Sequence, residues 1–137
     1  MKISYNLDSV LSLPYIGPIS CGFPSPADDH LDEAIDLNRE CIKNKSATFF
    51  GRVSGDSMKD AGLDDGDLLV IDKSIKPKNG HIAVCFLDGE FTVKRIKMDK
   101  SGIWLMPANK DYQPILVTPD NELAIWGIVV NAVKYLL

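Results

Sequence analysis

Val53 to Ile71 reads VSGDSMKDAGLDDGDLLVI, and this stretch decides how the rest of the chain is read. Ser57 stands in a tight bend between the pair Gly55-Asp56 and Met58. The residues leading in, ATFFGRVSG at 47–55, alternate and are rich in aromatic and β-branched side chains, the pattern of a strand. Ser57 to Asp60 predicts one helical turn after the bend at Gly55. An acidic, glycine-rich turn follows, and DGDLLVID from Asp65 to Asp72 predicts a buried strand. A serine is thereby held at a bend between two strands.

Downstream the β signal persists. Pro77 to Gly80 predicts a turn. HIAVCFL and EFTVKRIKM predict a hairpin around Asp88-Gly89, the strongest local turn signal in the chain. GIWLMPAN continues the meander, and the loop-rich 107–119 segment contains a short strand candidate at 115–117. LAIWGIVVNAVKYLL closes the chain as a long apolar strand broken at Gly127. Its Ile128, Val129, Val130 and Val133 suit either core or a surface shared by two copies, since exposed edge strands invite pairing. The fold class expected is mainly β, a single twisted and bent sheet system.

Upstream the signal weakens. Leu7, Val10, Leu11 and Leu13 before Pro14 suit one helical turn. PYIGPISCGFPSP, Pro14 to Pro26, carries too many prolines and glycines for a regular ladder and predicts a loop or extended arm. Such accessible backbone is where proteolysis concentrates. DDHLDEAIDLNRECIKNK at 28–45 is read in two ways. Its periodicity favours one longer helix, with Ser25-Pro26 as cap and Asp28 and Asp29 at the positive end. The competing reading is an extended arm through Ile35 and then a short helix from Leu37 to Lys43.

The 137 residues suffice for one domain with a real core. The balance of 45% hydrophobic and 25% charged residues is that of an ordinary water-soluble protein. The net charge of −4 argues against direct nucleic-acid binding, which calls for a basic face. No apolar run reaches the ~18–20 residues of a membrane span, and the N-terminus, with Asp8 and Pro14 interrupting its apolar residues, is not a signal peptide. Cys21, Cys41 and Cys85 are odd in number and lack CxxC spacing, which points to reduced thiols in a cytoplasm and to no metal site.

A serine hydroxyl attacks only when a base removes its proton. Histidine is the usual base, and the chain has only His30 and His81, neither beside a convincing third member of a triad. A neutral lysine can replace it. At a pKa of about 10.4, only about one lysine in several thousand is neutral at pH 7, and lowering the pKa by about 3 units costs about 4 kcal/mol. Burial supplies such a shift. In FTVKRI, Lys94 shares a strand face with Thr92 and Ile96, and Arg95 points the other way, so one of the two cations faces away from solvent if the hairpin packs on both sides. The pattern alone leaves open an ordinary solvated strand lysine. The amides of Asp56 and Ser57, at a sharp bend opening a helical turn, are candidate donors to an oxyanion.

SGDSM at 54–58, the following GLDDGDLLVID and EFTVKRI at 90–96 together resemble the LexA/UmuD family of self-cleaving serine peptidases. CGFPSPADD at 21–29 resembles that family's cleavage region, and IDLN at 35–38, DGEFTVKR and WGIVVNAVK fall in matching order. The resemblance implies Ser57 as nucleophile, Lys94 as general base, the amides of Asp56 and Ser57 as the oxyanion position and Cys21-Gly22 as the scissile bond. It implies a LexA C-terminal-like, signal-peptidase-like bent β-sheet peptidase domain over 39–137 behind a flexible N-terminal arm over 1–38. It also favours the extended arm and short helix after Leu37, and that reading is adopted. Expected partners are a second copy in a homodimer, a RecA filament on single-stranded DNA that stimulates cleavage, and a UmuC-like Y-family DNA polymerase. No cofactor is implied. Only 20 residues precede Cys21, too few for the helix-turn-helix of LexA-type repressors, so operator binding is not expected. Signal peptidases share the dyad but need a membrane anchor. An alternative of another class is a non-catalytic interaction module that keeps the peptidase fold and serves a polymerase.

Within the expected site the residues rationalise the cleavage bond. Gly22 offers no side chain to obstruct an approaching hydroxyl, Cys21 is small enough for a shallow pocket, and Pro24 and Pro26 keep the arm extended. Cys21 is then a substrate residue, not a nucleophile.

Overall fold

The computed structural model describes residues 10–24, 26 and 33–137. These fall into two compact units, one within Met1–Lys43 and the other Asn44–Leu137.

In the first unit, β1 (Ser12–Pro14) pairs antiparallel with β2 (Ala34–Asp36), Leu13 lying opposite Ile35. The helical turn expected before Pro14 does not form where it is described: Val10 and Leu11 lie in no regular element, Leu13 lies in β1, and Leu7 is outside the described residues. The single long helix that periodicity favours does not form. β2 is extended, and the helix α1 covers only Leu37–Cys41. Asp36 starts it, its carboxylate accepting the Asn38 N–H at 3.1 Å, the usual role of an aspartate at a helix N-cap. Ser25 of the expected Ser25-Pro26 cap and the Asp28-Asp29 pair lie outside the described residues.

The second unit is mainly β, as expected. Its sheet contains β3 (Thr48–Arg52), β4 (Leu68–Asp72), β5 (Ile82–Leu87), β6 (Glu90–Asp99), β7 (Gly102–Met106), β8 (Ile115–Leu116) and β9 (Leu123–Val133). The order across the sheet is β3-β4-β9-β5-β6-β7-β8, all neighbours antiparallel. The last strand thus enters the middle of the sheet, which explains its apolar sequence. The β5–β6 hairpin turns at Asp88 (φ 49°) and Gly89 (φ 88°), both left-handed, the backbone that Asp-Gly tolerates best.

Register slips between Val70 and Ile71 against β9, and again between Val84 and Cys85. Irregularities of this kind bend a strand and increase its twist. Gly127 lies beside the second slip, yet β9 runs unbroken through it, which corrects the expected break. The residue is glycine for space: a Cβ there would stand 2.6 Å from Ile71 Cγ2.

Two apolar clusters pin the sheet. Val53, Met58, Leu63, Leu69, Ile71 and Val84 form one, and Ala83, Cys85, Ile96, Leu105 and Ile128 the other. Met58 and Leu63 belong to the segment that carries Ser57, so core packing itself anchors the serine bend. Full burial of such side chains is worth about 1.5–3 kcal/mol each.

Candidate active site

The bend is held by hydrogen bonds from two sides. Gly55 takes φ +96°, a conformation costly for any residue with a Cβ, and its N–H donates to Asp65 Oδ1 at 2.7 Å. The acidic turn thereby holds the bend from one side. Val53 N–H donates to Asp67 O at 2.9 Å and Gly66 N–H to Val53 O at 2.8 Å. Lys134 in turn ties down the acidic turn, pairing with Asp64 at 2.9 Å and with the buried Asp67. That hydrogen bond from Lys134 holds the Asp67 carboxyl below the usual carboxylate range.

The segment 108–112 holds the other side. Ala108 N–H donates to Ser57 O and Asp60 N–H to Ala108 O, both at 2.8 Å. The Asn109 side chain donates to Asp56 O at 3.0 Å, and the Tyr112 hydroxyl to Asp56 Oδ1 at 2.6 Å. After the bend the chain makes a 3-10 turn over Lys59–Ala61, where one helical turn from Ser57 is expected from sequence. Gly62 (φ +82°) ends it.

Lys94 reaches Ser57 from β6. Its Nζ lies 3.0 Å from Ser57 Oγ, 2.8 Å from Thr92 Oγ1 and 3.1 Å from Val93 O. The residue is 9% exposed, whereas its neighbour Arg95 is exposed. Strand alternation therefore resolves the choice between the two cations: Lys94 is the one turned inward. Among the described residues no carboxylate forms an ion pair with it. Burial without a counter-charge pushes its pKa down. Cys85 lies on β5, directly across from Thr92, and burial pushes its thiol up to about 11. That thiol is a packing residue, not a reactive one.

Among the described residues the amide N–H groups of Asp56 and Ser57 donate to no acceptor. Two unpaired donors on consecutive residues, next to a hydroxyl with a low-pKa amine against it, suit an anion that forms beside Ser57. A cleft of about 440 Å³ opens there, lined mainly by apolar groups that include Phe50, Met58, Val84, Phe91 and Trp126. β3 is one of the two edge strands of the sheet, and Phe50 to Arg52 line the same cleft. An extended peptide can pair with such an edge.

Cys21 and Gly22 are exposed, within a bend where Ser20 Oγ donates to Phe23 O at 2.6 Å. They belong to the other compact unit. None of the three cysteines is in a disulfide. His81 is not among the residues lining the cleft, its Nδ1 accepting the Lys78 N–H at 3.1 Å, and His30 lies outside the described residues. Among the described residues no group of three or more His, Cys, Asp or Glu side chains is placed to hold a metal, and no helix is long and apolar enough to cross a membrane.

Sequence reasoning missed Asp65, Asn109 and Tyr112. Asn109 and Tyr112 lie more than 50 positions from the bend, and nothing local marks them. The Thr92 hydroxyl was within reach of inference, because position i−2 in a strand shares the face of Lys94.

The sequence matches the family described as Peptidase S24-like over residues 14–130. It is 44% identical over 125 residues to Protein MucA of Salmonella typhimurium, covering 90% of this chain and 85% of that one. It is 50% identical over 108 residues to Protein SamA of the same species, covering 79% and 74% of the two chains. LexA repressor 1 of Pseudomonas syringae pv. tomato is 40% identical over 124 residues, which span 90% of this chain and 61% of the repressor.

Proposed function

We propose, from the premise that this chain belongs to the Peptidase S24-like, LexA/UmuD family, that it is a serine peptidase that cuts its own Cys21-Gly22 bond. The observation that carries the proposal is the 3.0 Å approach to Ser57 Oγ of a buried Lys94 that has no ion pair among the described residues. In this reading the peptidase domain spans 39–137 and the arm 1–38.

Neutral Lys94 accepts the Ser57 proton as Oγ attacks the Cys21 carbonyl carbon. The amides of Asp56 and Ser57 receive the oxyanion. The C–N bond then breaks, and Lys94 returns the proton to the departing Gly22 amine. Water attacks the resulting ester, again losing a proton to Lys94. Collapse of that tetrahedral adduct breaks the ester bond, Lys94 returns the proton to Ser57 Oγ, and the carboxylic acid left on Cys21 releases its proton to solvent. The free edge of β3 and the apolar cleft beside Ser57 suit an extended peptide added as a strand. Because the substrate is tethered, its effective concentration is high and a modest catalyst suffices for a reaction that occurs once per chain.

The family membership supports a biological role for the cleavage. Cleavage serves the DNA-damage (SOS) response in the cytoplasm, stimulated by a RecA filament on single-stranded DNA. The shortened product, as a homodimer, joins a UmuC-like Y-family polymerase for error-prone synthesis across lesions. Likeness to MucA and SamA over most of the chain supports this role.

Intact-mass analysis tests the reading. The wild type is expected to yield fragments 1–21 and 22–137, with none from Ser57→Ala or Lys94→Ala. A wild type that stays whole with RecA, single-stranded DNA and nucleotide present overturns the peptidase reading and leaves an interaction module.

A further inference from the structure

The peptide group joining Asp56 to Ser57 has two ends with different fates. Its carbonyl, Asp56 O, accepts from the Asn109 side-chain amide at 3.0 Å and from the Lys59 N–H at 3.2 Å. Its N–H, that of Ser57, has no acceptor among the described residues. A trans peptide is planar and its C=O and N–H point in opposite directions, so fixing one fixes the other. Whatever holds the Asp56 carbonyl therefore aims the Ser57 N–H.

Asn109 is itself well held. It is 4% exposed, and its Oδ1 accepts the Asp111 N–H at 2.9 Å, which leaves Nδ2 directed to Asp56. A buried side-chain amide committed at both ends is a rigid strut. The Tyr112 hydroxyl grips the same residue through its carboxylate at 2.6 Å. The Ala108 amide fixes the next carbonyl, Ser57 O, at 2.8 Å. Every one of these holds is on the face of the bend that carries carbonyls or the Asp56 side chain, and none uses the free amides.

We propose that Asn109, seconded by Tyr112, is a positioning residue that aims the Ser57 N–H at the oxyanion formed during self-cleavage. The proposal rests on the peptidase reading above. It makes the loop over 108–112, remote in sequence from both members of the dyad, a determinant of the rate of the chemical step. Neither Asn109 nor Tyr112 is a hydrogen-bond partner of Lys94, so their loss is expected to leave the protonation of the base unchanged.

The test measures self-cleavage of the full chain across pH for wild type, Ser57→Ala, Asn109→Ala, Asn109→Asp and Tyr112→Phe, with a thermal melt for each. Asn109→Asp keeps the volume and the acceptor for Asp111 but not the donor. Tyr112 is exposed, so Tyr112→Phe removes one hydroxyl without opening the core. Loss of an aimed donor slows the step, so both Asn109 variants are expected to lower the plateau rate about 10- to 100-fold. Tyr112→Phe is expected to lower it about threefold, the size of one lost second-tier hydrogen bond. In all three the pH midpoint stays at the wild-type value. A merely structural role predicts a midpoint moved upward, as a loosened site rehydrates Lys94. That result, or wild-type rates in any folded variant of the three, overturns the inference while wild type cleaves and Ser57→Ala does not. A silent wild type overturns the peptidase reading and this inference with it.

Discussion

Lys94 Nζ lies 3.0 Å from Ser57 Oγ, across 37 positions of sequence, and the ammonium that would form there has hydroxyls and a carbonyl around it but no carboxylate among the described residues. A charge buried in this way costs stability and lowers the pKa of the group that bears it.

Lys94→Met should therefore stabilise the fold at neutral pH. The folded-state pKa lies below the unfolded one, so between the two the unfolded chain binds more protons and stability rises with pH. Each pKa unit by which burial lowers the amine is worth about 1.4 kcal/mol of this gain. Urea unfolding at several pH values checks this. The variant's advantage should be greatest below the folded pKa of Lys94 and should fade as pH rises toward the ordinary lysine range.

Thr92→Val removes the acceptor 2.8 Å from Lys94 Nζ while keeping the volume of the side chain. Self-cleavage should slow by about tenfold, because the amine loses one of its fixed directions. Thr92 holds the ammonium more strongly than the amine, since charge-assisted bonds are the stronger ones. The pH midpoint of cleavage should accordingly move down, not up. A rate-against-pH series on this variant checks both.

Gly127→Ala should destabilise by about 1–3 kcal/mol, the usual cost of forcing a methyl into a packed site. The added Cβ meets Ile71 Cγ2 at 2.6 Å and has Asp72 O at 3.5 Å, with β9 held in the centre of the sheet. A shift in the denaturation midpoint without change in slope is the expected signature.

Asp72 is buried and accepts from Asn44 Nδ2 at 2.9 Å, Ser74 N–H at 2.8 Å and Ser74 Oγ at 2.6 Å. These bonds, that from Asn44 foremost, hold its carboxyl below the usual range. Asp72→Ala should cost about 2 kcal/mol at neutral pH. The contribution is present above the unfolded pKa of about 3.9 and is lost as pH falls through the lower folded value, so the gap between wild type and variant should close below about pH 4.

Much of this was legible because local pattern and tertiary structure agree. The Asp88-Gly89 turn fixes a hairpin, the hairpin fixes alternation, and alternation puts Lys94 and Arg95 on opposite faces. The pairing of Ser57 with Lys94 was expected from the family resemblance, the strand pattern alone leaving Lys94 open, and the geometry places the two in contact. What was illegible depends on pairing at long range. β1 and β2 are three-residue strands that exist only through each other, so the leucines near Pro14 imitated a helical turn. Gly127 looked like a break because glycine weakens a strand, yet its role is to admit Ile71. Asn109 and Tyr112 carry no motif and act only through where the fold returns them.

The most direct test is the rate of self-cleavage as a function of pH, followed by intact mass, for wild type beside Ser57→Ala and Lys94→Ala. A lysine base that must be neutral predicts a rate that climbs with pH and levels off at a midpoint below the ordinary lysine value of about 10.4, with fragments 1–21 and 22–137 from the wild type alone. A rate that does not vary with pH, or cleavage at Cys21-Gly22 that persists in Ser57→Ala, would contradict the account.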